Sequence, residues 1–140
     1  MKLLIIDGQG GGVGKSLIQA LKAGFPGKPI VAVGTNGVAS TAMLRAGADM
    51  VATGENAVIY QCGQAEIIMG PMGILCANAM LGEISPAIAA AVSASPAQKV
   101  LLPMERCGLH VVGTAKQTLE AAVAEAVEKV RELESQIKPG

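Results

Sequence analysis

Asp7-Gly8-Gln9-Gly10-Gly11-Gly12-Val13-Gly14-Lys15-Ser16 has the residue types and spacing best suited to holding a phosphate. Glycine tolerates positive φ and has no Cβ, so a glycine-dense backbone can approach an anion closely. Free N–H groups and the positive dipole end of a following helix then attract the charge. Five glycines in the seven residues 8–14 are more than close packing alone asks for. The segment follows the apolar run Leu3-Leu4-Ile5-Ile6 and leads into Leu17-Ile18-Gln19-Ala20-Leu21, whose spacing is helical. Strand, glycine turn and helix in that order make a phosphate site.

Other groups that could act on a bound ligand sit at later polar breaks in the chain. Asp7, Glu55 and Glu105 are the candidate proton-transfer groups. Asp7 stands at the mouth of the turn, where its alternative task is to cap the turn. Glu55 and Asn56 could read a ribose or a substrate, although an acid in the first turn of a helix is favoured by the dipole alone. Arg106 could clamp a carboxylate or phosphate, or else pair with Glu105. Gly70 and Gly73 could form a second anion nest. Lys15 either neutralises a phosphate or simply points to solvent. His110, which alternates with Leu109 and Val111, is expected to be structural. Cys62, Cys76 and Cys107 are widely spaced, and with one histidine in the chain they read as reduced thiols rather than a zinc site.

The glycine turn parses in three ways. As a Walker A loop, Gly14-Lys15-Ser16 fits, but Gln9 replaces the glycine expected five residues before Gly14. A P-loop enzyme also needs an acid after a second apolar strand to hold Mg²⁺. The later apolar runs end in Gly34, Gly70 and Pro103, so ATP hydrolysis is disfavoured. As a G-x-G-x-x-G fingerprint, the first glycine again falls on Gln9. Gly8-x-x-x-Gly12-Val13-Gly14 instead resembles the T-G-x-x-x-G-[IV]-G turn of short-chain dehydrogenases, with Asp7 in place of that family's Thr. The resemblance implies a dinucleotide, NADP or NAD, held by Gly8, Gln9, Gly10, Gly11, Gly12, Val13, Gly14 and Lys15. It does not extend to that family's catalysis. The Tyr-x-x-x-Lys pair has no counterpart, because Gln64 stands where the lysine would follow Tyr60, the single tyrosine. An acid at the end of the second strand normally binds the ribose 2′-hydroxyl of NAD. Thr35 and Asn36 stand there instead, which leaves NADP or another adenine or phosphate ligand open.

Length and composition bound the remaining choices. At 140 residues, one domain spanning residues 1–140 is expected, large enough for a real core. Hydrophobic residues make up 51% and charged residues 16%, little surface charge for so small a protein. Either the sheet is buried on both faces, or another subunit covers part of the surface, or both hold. A formal net charge of zero without a basic cluster argues against nucleic acid. Phe25 and Tyr60 are the sole aromatics, so base-stacking platforms are missing as well. The most apolar stretch, Ile67 to Leu81, contains Pro71 and Asn78 and is too short to span a bilayer. No secretory signal pattern precedes the first strand, and the expected location is the cytoplasm.

The elements that position these groups alternate. Strands are predicted at Leu3–Ile6, Pro29–Val33, Met50–Ala52, Glu66–Met69 and Val100–Leu102, with a short sixth at Leu109–Val112. Helices are predicted after the glycine turn, over Val38–Ala46 with Gly47 as the stop, through Tyr60, and from Ser85-Pro86. The last helix has one apolar stripe, Leu119, Val123, Val127, Val130, Leu133 and Ile137, and an expected Glu125–Lys129 surface pair. Near-continuous apolar strands separated by helices imply an α/β fold. The expected architecture is a Rossmann-like three-layer sandwich with a mostly parallel sheet of five or six strands. Ligands of such sheets bind beyond the carboxyl ends of the strands. Asp7-Gly8, Gly34-Thr35-Asn36, Thr53-Gly54-Glu55-Asn56, Gly70-Pro71-Met72-Gly73 and Glu105-Arg106 all fall on that edge.

Taken whole, the chain resembles a family of small bacterial proteins known as domain of unknown function 3842. The resemblance covers nearly the full length. It rests on Ile6 to Gly12, Gly34-Thr35-Asn36, Ala52 to Ala57, Gly70-Pro71-Met72-Gly73-Ile74 and Leu81-Gly82-Glu83-Ile84. It implies no activity. Two functions follow from the residues: a binding module with a nucleotide or dinucleotide on the Gly8–Ser16 turn, or a small enzyme on a phosphorylated or nucleotide-linked metabolite. A third is a purely structural oligomer with a glycine-rich packing turn. The absence of a nucleophile–base pair favours the first. Met72, Ile74, Leu75, Met80 and Leu81 offer more apolar area than one short helix needs, so a homo-oligomer is expected.

Overall fold

Among the described residues the apolar runs form five strands: β1 (Leu3–Asp7), β2 (Ile30–Gly34), β3 (Met50–Thr53), β4 (Ile67–Pro71) and β5 (Gln98–Leu102). The computed structural model describes residues 2–104 and 108–137. Between and after the strands lie α1 (Gly12–Gly24), α2 (Gly37–Arg45), α3 (Glu55–Cys62), α4 (Pro86–Ala94) and α5 (Leu119–Gln136), with a 3₁₀ turn at Met72–Leu75. All strand pairs are parallel, in the order β3-β2-β1-β4-β5. The chain therefore runs outward from β1 to β3, then returns to lay β4 on the other side of β1. That reversal puts a topological switch point between the carboxyl ends of β1 and β4.

Strand β1 is buried on both faces, which is why it reads as an unbroken apolar run. Leu3 and Ile5 face α1, α2 and α5, where Leu17, Leu21, Met43, Val123 and Val127 complete one core. Leu4 and Ile6 face α3 and α4, packing with Val58, Ile68, Ile84, Ile88 and Val92. Each such fully buried aliphatic side chain stabilises the fold by about 2 kcal/mol. The result is the expected three-layer sandwich.

Side-chain caps start most of the flanking helices. Asn36, Ser85 and Thr118 each accept the backbone N–H of the third residue onward, and Pro86 occupies the first position of α4. The exceptions are α1 and α3, whose cap positions are Gly11 with φ 73° and Gly54 with φ 104°, neither with a side chain to offer. Phe25, just beyond α1, lies between the Lys28 ammonium at 5.6 Å and the Arg131 guanidinium at 4.7 Å, and Lys28 pairs with Glu134. Helix α5 is thereby fastened to the end of α1 by cation–π and ionic contacts.

Two local expectations differ from the structure. Leu109–Val112 is not a strand, and His110 is exposed rather than part of a core. Gly108 and Gly113 flank the segment with φ of 74° and 88°, turning the backbone away from an extended path. The Glu125–Lys129 pair is not formed either. Lys129 pairs with Glu132 at 2.9 Å, and Glu125 accepts from the Gln117 side chain at 2.7 Å. No helix among the described residues is long and apolar enough to cross a membrane.

Candidate functional site

Asp7, the last residue of β1, organises the glycine turn. Its side chain is 3% exposed. Oδ1 accepts from Gly8 N at 2.8 Å and Oδ2 from Gly14 N at 2.7 Å. The carboxylate thus supplies from within the chain the anion that the turn was expected to take from a ligand. It also serves as the cap that Gly11 lacks. Burial raises the Asp7 pKa, opposed by the N–H groups of Gly14, Gly8 and Val13 and reinforced by the charge of Glu83. Gly14 must stay small for this geometry, since a Cβ there would meet Met43 Sδ at 2.5 Å. The N–H groups of Gly10 and Gly12, both exposed, have no acceptor among the described residues.

A second carboxylate closes over the turn. Glu83 Oε1 accepts from Gln9 N at 2.8 Å, Thr35 Oγ1 at 2.7 Å and Asn36 Nδ2 at 2.8 Å. Asn36 reaches it because its Oδ1 is fixed by the α2 cap, to Ala39 N at 2.9 Å, so its amide hydrogens point outward to Glu83 and to the Gln9 carbonyl. These donors, Thr35 first, hold the Glu83 pKa below its usual value of 4.5. Gly8 lies beneath: a Cβ on it would come within 2.6 Å of Thr35 Oγ1 and 3.0 Å of Glu83 Oε1. The acid missing from the end of β2 is in this way delivered from the segment after β4.

Beside the turn, an open cleft of about 690 Å³ occupies the switch point. Asp7, Pro71 and Leu102 bring to it the ends of β1, β4 and β5, and Gln9 and Val13 bring the glycine turn. Its far wall is the segment from Thr114 to Leu119, which includes Lys116 and the first residues of α5. Two helix N-termini, those of α1 and α5, therefore border one cavity.

The remaining sequence candidates divide. Thr35 and Asn36 join the glycine turn, as above. Lys15 is exposed in the first turn of α1. Glu55 lies at the start of α3, where the Ser85 hydroxyl donates to it, and Asn56 beside it is exposed. Neither lines the cleft. Gly70 and Gly73 are buried, and neither has positive φ. A Cβ on Gly70 would lie 2.2 Å from the Ile6 carbonyl oxygen, and one on Gly73 2.7 Å from Met104 Sδ. Close packing, not an anion nest, accounts for both. Glu105 and Arg106 lie outside the described residues. Burial pushes the Cys62 thiol up to about 11, which leaves it protonated and unreactive at neutral pH.

Sequence reasoning missed Glu83 and the Thr114–Leu119 wall. Glu83 left one trace, as the acid of the Leu81-Gly82-Glu83-Ile84 string. Nothing local ties residue 83 to residues 9, 35 and 36.

A family described as a domain of unknown function (DUF3842) matches residues 2–135. The chain belongs to this family. Among curated proteins none matches. Of solved structures, the fold is similar to that of a dodecameric FMN-dependent UbiX-like decarboxylase from Escherichia coli O157:H7. The TM-score is 0.54 at 18% identity, over 99% of this chain and 96% of the other. That likeness establishes the fold shared by this DUF3842 member. It also corrects the expectation of NADP or NAD, because the protein sharing the fold is FMN-dependent. On the glycine turn itself, the Gly8 and Gly14 amides are already bound to Asp7.

Proposed function

We propose that the protein binds a phosphate-bearing small molecule in the switch-point cleft, with a flavin mononucleotide the leading ligand. The observation that carries this reading is the convergence of the α1 and α5 N-termini on one cavity of about 690 Å³. Both dipoles favour an anion there, and Lys116 adds a positive charge. Pro71, Leu102, Met104 and Ala122 give the same cleft an apolar wall against which a planar ring could lie. The FMN dependence of the protein sharing this fold supports a flavin. Binding is favoured over proton transfer, because both oxygens of Asp7 are engaged by backbone N–H groups.

Isothermal titration and thermal unfolding with FMN, riboflavin and inorganic phosphate test this. FMN is expected to bind and, at about a hundredfold excess over its Kd, to stabilise the fold by about 2.7 kcal/mol. Riboflavin, which lacks the phosphate, should bind at least tenfold more weakly. Absence of binding by FMN and by inorganic phosphate at millimolar concentration overturns the reading.

We further propose that the protein self-associates. Leu81 is 97% and Val112 96% exposed, with Val38, Met50 and Tyr60 also largely uncovered. Ile74, by contrast, is wholly buried and belongs to the core, which leaves Leu75 and Leu81 exposed and Met72 and Met80 partly exposed around Gly70–Gly82. The protein sharing the fold is a dodecamer, which supports association. Light scattering at micromolar concentration is expected to give a mass that is a multiple of 14.1 kDa; a monomer refutes it.

A further inference from the structure

We infer that the cradle now holding Glu83 is the seat for the ligand's phosphate monoester, and that Glu83 is a tethered competitor which the phosphate must displace. This rests on the binding reading above. Gln9 N, Thr35 Oγ1 and Asn36 Nδ2 converge on a single oxygen, an arrangement complementary to an anion. The anion present belongs to the protein. With Glu83 seated, the glycine turn carries two carboxylates, Asp7 and Glu83, close enough for one to raise the pKa of the other. A phosphate entering beside both would meet like charge; a phosphate replacing Glu83 meets three donors and one carboxylate fewer.

The tip of the segment that carries Glu83, residues 80–83, can lift while Ala79 and Ile84 on either side stay in the core. Asn78, Met80 and Leu81 hold φ of 68°, 58° and 58°, and Gly82 follows at 89°. Left-handed backbone costs a residue with a side chain about 1–2 kcal/mol. Local bonds hold the loop in this shape: Gly82 N to Asn78 O at 3.1 Å, Glu83 N to Met80 O at 3.1 Å and Ile84 N to Ala79 O at 3.2 Å. Its tip, Leu81, is almost fully exposed and so holds nothing down. The side-chain bonds that tie the loop to the turn are those of the Glu83 carboxylate. Met80 lines the cleft and Gln9 borders both cleft and cradle, so lifting the loop joins the two spaces. The ligand's ring would lie against the apolar wall of the cleft, and its phosphate would sit where the vacated cradle opens onto the cleft beside Gln9.

Titration of wild type, Glu83→Ala and Glu83→Gln with inorganic phosphate and with FMN decides the matter. A closed loop lowers apparent affinity by the fraction of molecules that are open. Glu83→Ala is therefore expected to bind both probes about tenfold more tightly, and Glu83→Gln to fall between it and wild type. In the wild type, phosphate should speed amide hydrogen exchange across residues 80–83 while slowing it at Gln9. Equal or weaker binding by both variants, with wild type still binding, overturns the competitor and leaves the cleft reading standing. Phosphate binding to wild type with unchanged exchange at 80–83 overturns it as well. If neither wild type nor either variant binds phosphate or FMN, the cleft reading and this inference fall together.

Discussion

Replacing Gly70 with alanine is expected to destabilise the protein by about 3 kcal/mol or more, seen as a fall in melting temperature of about 10 °C. The reason is geometric. Gly70 lies in β4 beside β1, and a Cβ there would sit 2.2 Å from the Ile6 carbonyl oxygen. That contact is with backbone, so no rotamer change relieves it. The two strands would have to separate at the centre of the sheet, where Ile5 faces Met69 and both are fully buried. Glycine at position 10 provides the control. Its φ is not positive and a Cβ there meets nothing within 4 Å, so Gly10→Ala should move the melting temperature by less than about 2 °C. Similar shifts for the two variants would show that β1 and β4 are not held this closely.

Asp7→Ala is expected to cost about 3 kcal/mol, measured by urea unfolding near neutral pH. Two buried donors, Gly8 N and Gly14 N, lose their acceptor, and each unsatisfied buried donor costs about 1–3 kcal/mol. The relief of no longer burying a carboxylate offsets part of that sum. The pH dependence has a definite sign. Because the folded Asp7 pKa is raised above 3.8, its contribution is complete below that value and declines as pH rises through the folded pKa. The penalty of Asp7→Ala should then be larger at about pH 4 than at about pH 7. Glu83 behaves oppositely. Its pKa is lowered, so its contribution is present above 4.5 and is lost as pH falls through the folded value. An Asp7→Ala penalty that shrinks in acid would show that capping, not burial, governs the titration of Asp7.

The elements were legible because their signals are local. Five apolar runs became five strands, and Ser85-Pro86 and Gly47 marked a helix start and stop where expected. Residues 109–112 failed because an apolar alternation of four residues says nothing about whether a neighbouring strand is available to pair with it. The glycine turn was found, but its occupant was not. A glycine-rich strand–helix turn implies an anion, and sequence alone does not say whether a ligand or the chain provides it. Asp7 was read both as a proton-transfer group and as a cap; its hydrogen bonds to Gly8 and Gly14 are those of a cap. Glu83 was invisible as a site residue because its three donors come from β1's turn and β2's end, far away in the chain. Gly70 and Gly73 misled for the reverse reason. Glycine is demanded equally by anion nests and by tight packing, and the neighbours that decide between them, the Ile6 carbonyl at Gly70 and the Met104 side chain at Gly73, come from elsewhere in the chain.

The strand order β3-β2-β1-β4-β5 also bears on how the protein is made. During synthesis, β1, β2 and β3 emerge consecutively and can pair in that order, while the opposite edge of β1 stays open. Its partner on that side is distant: Leu3 must wait for Ile67. At roughly 5–20 residues per second, the ribosome leaves that apolar edge unpaired for several seconds. Pairing between positions so far apart in the chain also forms slowly once both strands exist. The nascent half-sheet is therefore the stage at which this protein is most exposed to misassociation, and chaperone capture should peak on chains that end between β3 and β4.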